Sequence, residues 1–330
     1  MLALIWGKGA GLNVNKVKGI HHISAIFGDI NENIKFYQDI LGLRLVKQTL
    51  NFDDSAVYHL YFSNEQVNPG FLLTFFPWQH ATHGRKGGGQ IGRIAFRVPK
   101  GYLKEWEHYL FAKGIETTRS QLFGQDTLEF SDPHSLDLAI VETDVEHETR
   151  AIYDFHGVSI LSENPTATKS LLTNDLGLLK VGPHHFKSDS PLAQHIIVNE
   201  SPLLKGRWGT GTVHHLAWSV PSQTELLAWQ DYFFEQQFAI TEVKDRKYFK
   251  SIYLQEKGNV IFEFATIDPG LEVDESFDKL GQTLQFPPHF EMDRDNILAQ
   301  IEPITARINK YSTSNQQSFS KKEAIDGTSI

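Results

Sequence analysis

The sequence predicts an α+β protein of four tandem strand–helix–three-strand modules with a helical C-terminal extension. Three observations carry this. The order strand, helix, strand, strand, strand can be read four times along the chain. The first and third copies end their helices on the same tripeptide, Leu41-Gly42-Leu43 and Leu176-Gly177-Leu178. The second and fourth copies open on strands that stop at Val98-Pro99 and Val220-Pro221. Self-similarity at a period of about 20–50 residues marks an array of one supersecondary unit.

In the first module Ile20–Phe27 reads as a strand. "DINENIKFYQDILGL" then reads as a helix with Ile34, Tyr37 and Leu41 on one stripe and Gly42 as its C-terminal cap. "RLVKQTLNF", "AVYHLYFS" and "GFLLTFFPW" are β-rich runs between turn residues. Module two, residues 91–142, gives "IGRIAFRVP", a helix through Leu103–Lys113 and strands ending at "LDLAIVE". Module three, residues 155–199, gives "FHGVSIL", a helix ending in "NDLGL", then "HIIVN". Module four, residues 213–266, gives "VHHLAWSVP", a helix through Glu225–Phe238 and "SIYLQEKGNVIFEFAT". The modules group in pairs, with a charged linker at Asp144–Asp154. The expected organisation is an N-terminal extension over 1–18, domains over 19–146 and 147–270, and an extension over 271–310. That extension holds one amphipathic helix carrying Ile297, Leu298, Ile301 and Ile304; the polar stretch 311–330 is expected to lack fixed structure.

Composition narrows the chemistry. A length of 330 residues fits two domains, and 40% apolar content fills ordinary cores. A formal charge of -9 disfavours nucleic acid, whose phosphates need clustered Lys and Arg. The basic stretch Lys244–Lys250 is interrupted by Asp245, Tyr248 and Phe249 and reads as a solvated strand edge. With no cysteine, disulfides, thiolate metal sites, Fe–S clusters and Cys nucleophiles are excluded. No stretch approaches the ~20 apolar residues of a membrane span. The apolar run Met1–Trp6 is shorter than a signal-peptide core and has no basic flank before it. A cytoplasmic location is expected, with no membrane partner.

Two apolar strands open on the same pair, His21-His22 and His214-His215. Strand side chains alternate between faces. In the later strand, Leu216, Trp218 and Val220 form the face that buries against helices, and His215 points the other way beside Ala217 and Ser219. In the earlier strand, Ile23, Ala25 and Phe27 form the apolar face, with His22 and Ser24 opposite. A carboxylate, Glu263, interrupts the apolar run "NVIFEFAT"; an unpaired charge there is costly. Two histidines and a carboxylate are the ligand set that holds non-haem Fe(II) with open positions. Most single strand histidines are core or edge residues, and this chain has 15. The expectation for His22, His215 and Glu263 rests on matching module positions and matching faces. His184-His185 reads as loop without a role, and His80 and His83 sit in a Gly-rich connector that reads as a flexible crossover.

With "HHIS", "FYQDILGL", "TVHHLAW" and "FEFATIDPG" in four such modules, the chain resembles the vicinal oxygen chelate superfamily: glyoxalases, fosfomycin- and bleomycin-resistance proteins and extradiol dioxygenases. It most resembles the hydroquinone-type ring-cleaving dioxygenases, from about Gly19 to Ile304, including the "LQFPPHFE" element. The resemblance implies two glyoxalase-like domains and metal ligands at His22, His215 and Glu263. It implies that modules one and four build the ligand-bearing cup. In the other cup Arg93 and Gly157 stand where His215 and His22 would, with His156 one residue off register. It carries catalytic roles to His21, His214, Ser24, Arg246 and Tyr253; the family residue at Ser24 is usually Thr.

The expected reaction is Fe(II)-dependent insertion of O2 into a hydroquinone- or catechol-type ring, with Mn(II) suited to the same donors. His21 or His214 would move the phenolic proton, Arg246 would stabilise oxyanion charge, and Tyr253 would orient the hydroxyl. The rivals are a glyoxalase-type isomerase or thiol transferase and a non-catalytic drug-binding protein. The first rival usually adds a fourth protein ligand. Here Thr74, a poor cation ligand, takes the place in module one that Glu263 holds in module four. The expected partners are a small aromatic diol and O2; a homo-oligomer is compatible with the sequence.

Overall fold

The computed structural model describes residues 14–77, 82–145 and 149–310. Residues 1–13 of the expected N-terminal extension, His80, part of the expected linker and the polar tail 311–330 lie outside the described residues. Module one comprises β1 (Ile20–Phe27), α1 (Ile30–Ile34), β2 (Arg44–Asn51), β3 (Asp54–Ser63) and β4 (Leu72–Pro77). Module two comprises β5 (Gln90–Val98), α2 (Leu103–Ala112), β6 (Thr118–Leu122), β7 (Gln125–Ser131) and β8 (Asp137–Glu142). Module three comprises β9 (Asp154–Leu161), α3 (Pro165–Ser170), β10 (Leu179–Lys180), β11 (His185–Lys187) and β12 (His195–Val198). Module four comprises β13 (Val213–Val220), α4 (Gln223–Glu235), β14 (Lys244–Asp245), β15 (Lys250–Gln255) and β16 (Ile261–Thr266). β17 (Leu284–Gln285) and α5 (Arg294–Gln300) follow.

The helices start and stop for local reasons. Asp29 Oδ1 accepts from the Asn31 and Glu32 amides, each at 2.8 Å, and caps α1. Ser222 Oγ does the same for Glu225, two residues inside α4. The single helix expected over 29–42 widens into a π turn at Lys35–Ile40, and Leu171–Asp175 repeats this in module three. Gly42 and Gly177 then leave these turns at φ 72° and 76°, a region open to glycine. α5 is shorter than expected: Ile301 is its extended cap, Ile304 lies beyond it, and Leu298 is exposed. Ile301 and Ile304 still pack on the core, from non-helical chain.

The pairing between strands sets up the site. β1 and β13 run antiparallel at the centre of one cup. β4 and β16 flank them in parallel, and β3, β2, β15 and β14 complete the two wings. β5 and β9 centre a second cup built from modules two and three, and Val213 against Ile91 joins the two. Each cup therefore draws one module from each half of the chain. Helices cover one face of cup one. Trp229 of α4 lies 5.1 Å from Phe264, and Tyr37 lies 4.5 Å from Phe75. Trp218 and Trp229 are fully buried; covering a large apolar side chain contributes roughly 2–3 kcal/mol. The connector expected as a flexible crossover is laid in backbone bridges, His83 to Thr210, Arg85 to Arg207 and Gly88 to Lys205.

Candidate metal centre

β1 and β13 do not alternate strictly. Ile20 faces Trp218 but His22 faces Ala217, so His21 is an extra residue in β1. Ser24 faces His215 but Ala25 faces Val213, so His214 is an extra residue in β13. Such bulges re-aim side chains. Alternation alone sends His21 and His214 to the helix face. The bulges turn them back, so each stacks edge-on to its neighbour, and Nδ1 of His21 meets Nδ1 of His22 at 2.8 Å. Nδ1 of His214 meets Nδ1 of His215 at 2.8 Å.

His22, His215 and Glu263 converge as expected. Their burial is nearly complete, with exposures of 2%, 6% and 0%. The two Nε2 atoms lie 3.2 Å apart, and Glu263 Oε2 lies 3.0 Å from His22 and 2.9 Å from His215. Yet neither carboxylate oxygen receives a hydrogen bond of proper geometry. Three ligand atoms crowded at about 3 Å are spaced as neighbouring corners of an octahedron of about 2.1 Å radius. The donor set therefore fits a divalent cation. The tautomers agree: with Nε2 reserved for a cation, His22 and His215 donate from Nδ1, and His21 and His214 accept. His21 is hydrogen-bonded in turn to the Thr266 backbone.

Burial favours the neutral form of His21, His214 and His215. Burial and the adjacent His22 lower His21 to about 3, against the pull of Glu263. Burial and His215 likewise lower His214 to about 3, and burial lowers His215. Burial works to raise the Glu263 carboxyl, but the two imidazoles outweigh it and hold the group well below the usual carboxylate range.

A cavity of about 400 Å³ opens over this triangle. His22 and His215 form its floor; His214, Arg246 and Tyr253 stand on its wall with Phe52, Phe76 and Phe249. Arg246 pairs with Asp53 at 2.9 Å and sits 5.7 Å from the Tyr253 ring. Burial opposes its charge, while Tyr253, Asp53 and Glu263 favour it more strongly. Burial and Glu263 raise the Tyr253 phenol, which stays protonated. The stretch read as a solvated strand edge thus supplies a cavity arginine, and Tyr248 and Phe249 within it are buried.

Two expected site residues stand away from the cavity. His21 is behind His22, and Ser24, fully buried, bonds Thr74 Oγ1 at 2.6 Å. Among the cavity residues that escaped the sequence reading are His59 and Tyr61 of β3. Tyr61 faces Thr74 as Tyr253 faces Glu263. The repeat alignment of "HLYFS" with "SIYLQ" carries that signal. The same registers place Thr74 as the counterpart of Glu263: Ser24 pairs with Thr74, and Ala217 with Glu263, each two residues past the second histidine.

The second cup lacks all three ligands. Gly157 faces Ala95 as His22 faces Ala217, and Arg93 and Ala139 take the places of His215 and Glu263. A Cβ at Gly157 would lie 2.1 Å from the His195 carbonyl oxygen, so no histidine fits. Arg93 is instead paired with Glu129 at 2.8 Å. His156 holds the place of His21 and is left without the neighbour it would support; both its nitrogens lack a partner. It stacks on His195 at 4.7 Å, and His195 Nδ1 meets His185 Nε2 at 2.6 Å. His185, read as loop, is in fact on β11.

Known proteins resemble this chain over most of its length. MhqO of Bacillus subtilis, provisionally named a ring-cleaving dioxygenase, is 41% identical over 307 residues, covering 88% of this chain and 98% of its own. The chlorohydroquinone/hydroquinone 1,2-dioxygenase of Sphingobium indicum is 31% identical over 319 residues, covering 88% and 98%. A crystal structure of a Bacillus subtilis protein, provisionally described as a dioxygenase, superposes with a TM-score of 0.85 at 40% identity over 90% of this chain and all (100%) of that one. With the family model also matching residues 19–264, the chain belongs to the Glyoxalase/Bleomycin resistance protein/Dioxygenase superfamily.

Proposed function

We propose that this protein is an Fe(II)-dependent dioxygenase that opens a hydroquinone- or catechol-type ring. The carrying observation is a cation site of three protein donors, with Thr74 where a fourth would stand, at the floor of an aromatic cavity. Three donors on one face leave coordination positions for two further ligands, as a ring-cleaving reaction requires. The relative that acts on chlorohydroquinone and hydroquinone supports the same reading by similarity. Fe(II) held by His22, His215 and Glu263 supplies the one-electron chemistry that lets triplet O2 react with a singlet ring. Mn(II) suits the same donors.

The chain's own groups then have distinct tasks. His21 and His214 fix the rings of His22 and His215 through Nδ1. His214, on the wall, carries its own proton on Nε2, so of the two it is the better placed to donate to a substrate oxygen. Arg246 offers positive charge where oxyanion character develops, and Tyr253 stays a phenol that donates. Phe52, Phe76 and Phe249 pack a planar ring and keep water off it.

The test is anaerobic loading with Fe(II), addition of hydroquinone and then measured O2 uptake. About one O2 per ring opened, abolished by Glu263→Gln, is expected. Turnover of a thiol adduct with Ni(II) or Zn(II) and no O2 would replace this reading with an isomerase. Tight binding of aromatics without metal or turnover would replace it with a sequestering protein.

A further inference from the structure

A chain of hydrogen bonds runs through module one to the cavity wall opposite Tyr253. Ser24 Oγ and Thr74 Oγ1 are 2.6 Å apart, Thr74 Oγ1 and His59 Nε2 3.0 Å, and His59 Nδ1 and the Tyr61 hydroxyl 3.3 Å. Its direction follows from the closed end. Ser24 is fully buried, and Thr74 is its side chain's partner. If Thr74 donated to Ser24, the serine proton would point into a dry interior with no acceptor, which is unfavourable. Ser24 therefore donates to Thr74, and Thr74 donates to His59 Nε2. That leaves His59 with its proton on Nδ1, donated to the Tyr61 oxygen. The Tyr61 O–H is the end of the line. Tyr61 is only 1% exposed yet lines the cavity, so its proton has the cavity as its outlet.

Module four has no such chain, because Ser251 stands where His59 would, two residues before the tyrosine. Thr74, at the position of the missing fourth ligand, has become a link that aims a donor.

We propose that Tyr61 is a substrate-positioning donor, its proton directed into the cavity by Ser24, Thr74 and His59 to hold an oxygen of a phenolic ring. This rests on the reading of the cavity as a phenol site; Ser24, Thr74 and His59 act through Tyr61 and are positioning residues.

The test uses the full chain loaded with redox-inert Zn(II) and titrated with 4-nitrophenol, followed by absorbance. A hydrogen bond to a charged oxygen is lost in Tyr61→Phe, so affinity should fall about tenfold to hundredfold, with a shift of the bound phenolate band. Thr74→Val keeps Tyr61 but breaks the chain, letting Tyr61 turn its proton back to His59. It should weaken binding in the same direction, and Ser24→Ala added to it should change little more. In turnover with Fe(II), O2 and hydroquinone, Tyr61→Phe should raise KM by a similar factor and change kcat by less than about threefold. Unchanged nitrophenol affinity in a folded Tyr61→Phe protein, or a wild type that binds no phenol, overturns the inference. Tyr61-dependent binding in a protein that takes up no O2 upholds it while removing the dioxygenase reading.

Discussion

His22 and His215, the proposed ligand imidazoles, are each hydrogen-bonded to the residue before them in sequence. His21 and His214 bring no charge, since burial lowers both to about 3. They contribute an acceptor at 2.8 Å that fixes which nitrogen of His22 and His215 carries the proton. Losing such a partner typically weakens metal binding 10–100-fold without touching a ligand. His21→Ala should therefore lower the affinity for divalent metal by about that factor, read by competition with a chromophoric chelator. The free-protein melting temperature serves as the control for folding. Affinity within about twofold of wild type would show that His22 is held by its strand alone. On the proposed reading the doubled His-His motif is a ligand plus its orienting group, with a bulge at each pair aiming the two rings.

At the scale of elements, the segment after module four is strapped to module one by a buried cation. Lys47 of β2 has no exposure. It donates to the Leu271 carbonyl at 3.0 Å, to Asp274 at 2.6 Å and to Glu275 at 2.5 Å. Asp274 also accepts from Tyr248 at 3.0 Å, one residue from the cavity residue Phe249. Removing one member of a buried ionic network strands the others in a dry site, which costs about 3–5 kcal/mol. Lys47→Ala should lose that much stability in urea denaturation. Lys47→Met combined with Asp274→Asn and Glu275→Gln should recover part of it, because no carboxylate is then stranded and the part-exposed Lys247, which also pairs with Asp274, can turn to water. If the single variant lost less than about 1 kcal/mol, the strap would be dispensable.

Over the whole molecule, the two cups share one architecture but keep different groups. Cup one gathers His22, His215 and Glu263; cup two gathers His156, His185 and His195 around Phe123. Burial, with His195 and Arg97 nearby, lowers His156 to about 2. Burial, His185 and Arg97 lower His195 to about 4. The unfolded chain binds these protons near pH 6.5, the folded chain only at lower pH. Their contribution to stability is therefore full above about pH 6.5 and is lost as pH falls toward the folded values. Between pH 7 and pH 4.5 the loss should be on the order of 2–3 kcal/mol from His156, with His195, more open to water and so screened, adding less. Thermal melts across that range should show it in wild type and show it much reduced in His156→Phe with His195→Gln. Equal slopes in both proteins would place the acid sensitivity elsewhere.

The four-fold repeat, the Gly42 and Gly177 caps, and the identity of His22, His215 and Glu263 were legible in the sequence alone. They depend on local periodicity and on a repeat that shows each residue against its counterpart. Strict alternation misplaced His21 and His214, because a bulge depends on the partner strand. The length of α5, the order in the 82–90 connector and the strand around His185 escaped for a related reason: their partners lie far along the chain. The pairing of module one with four and two with three was already implied by the resemblance and is seen in the strand registers; only the tertiary structure decided that Lys47 reaches Asp274 and Glu275, and that Tyr61 ends a hydrogen-bond chain at the cavity. Residue type and local register are written into neighbouring positions, whereas hydrogen-bond partners across hundreds of residues exist only once the chain has closed on itself.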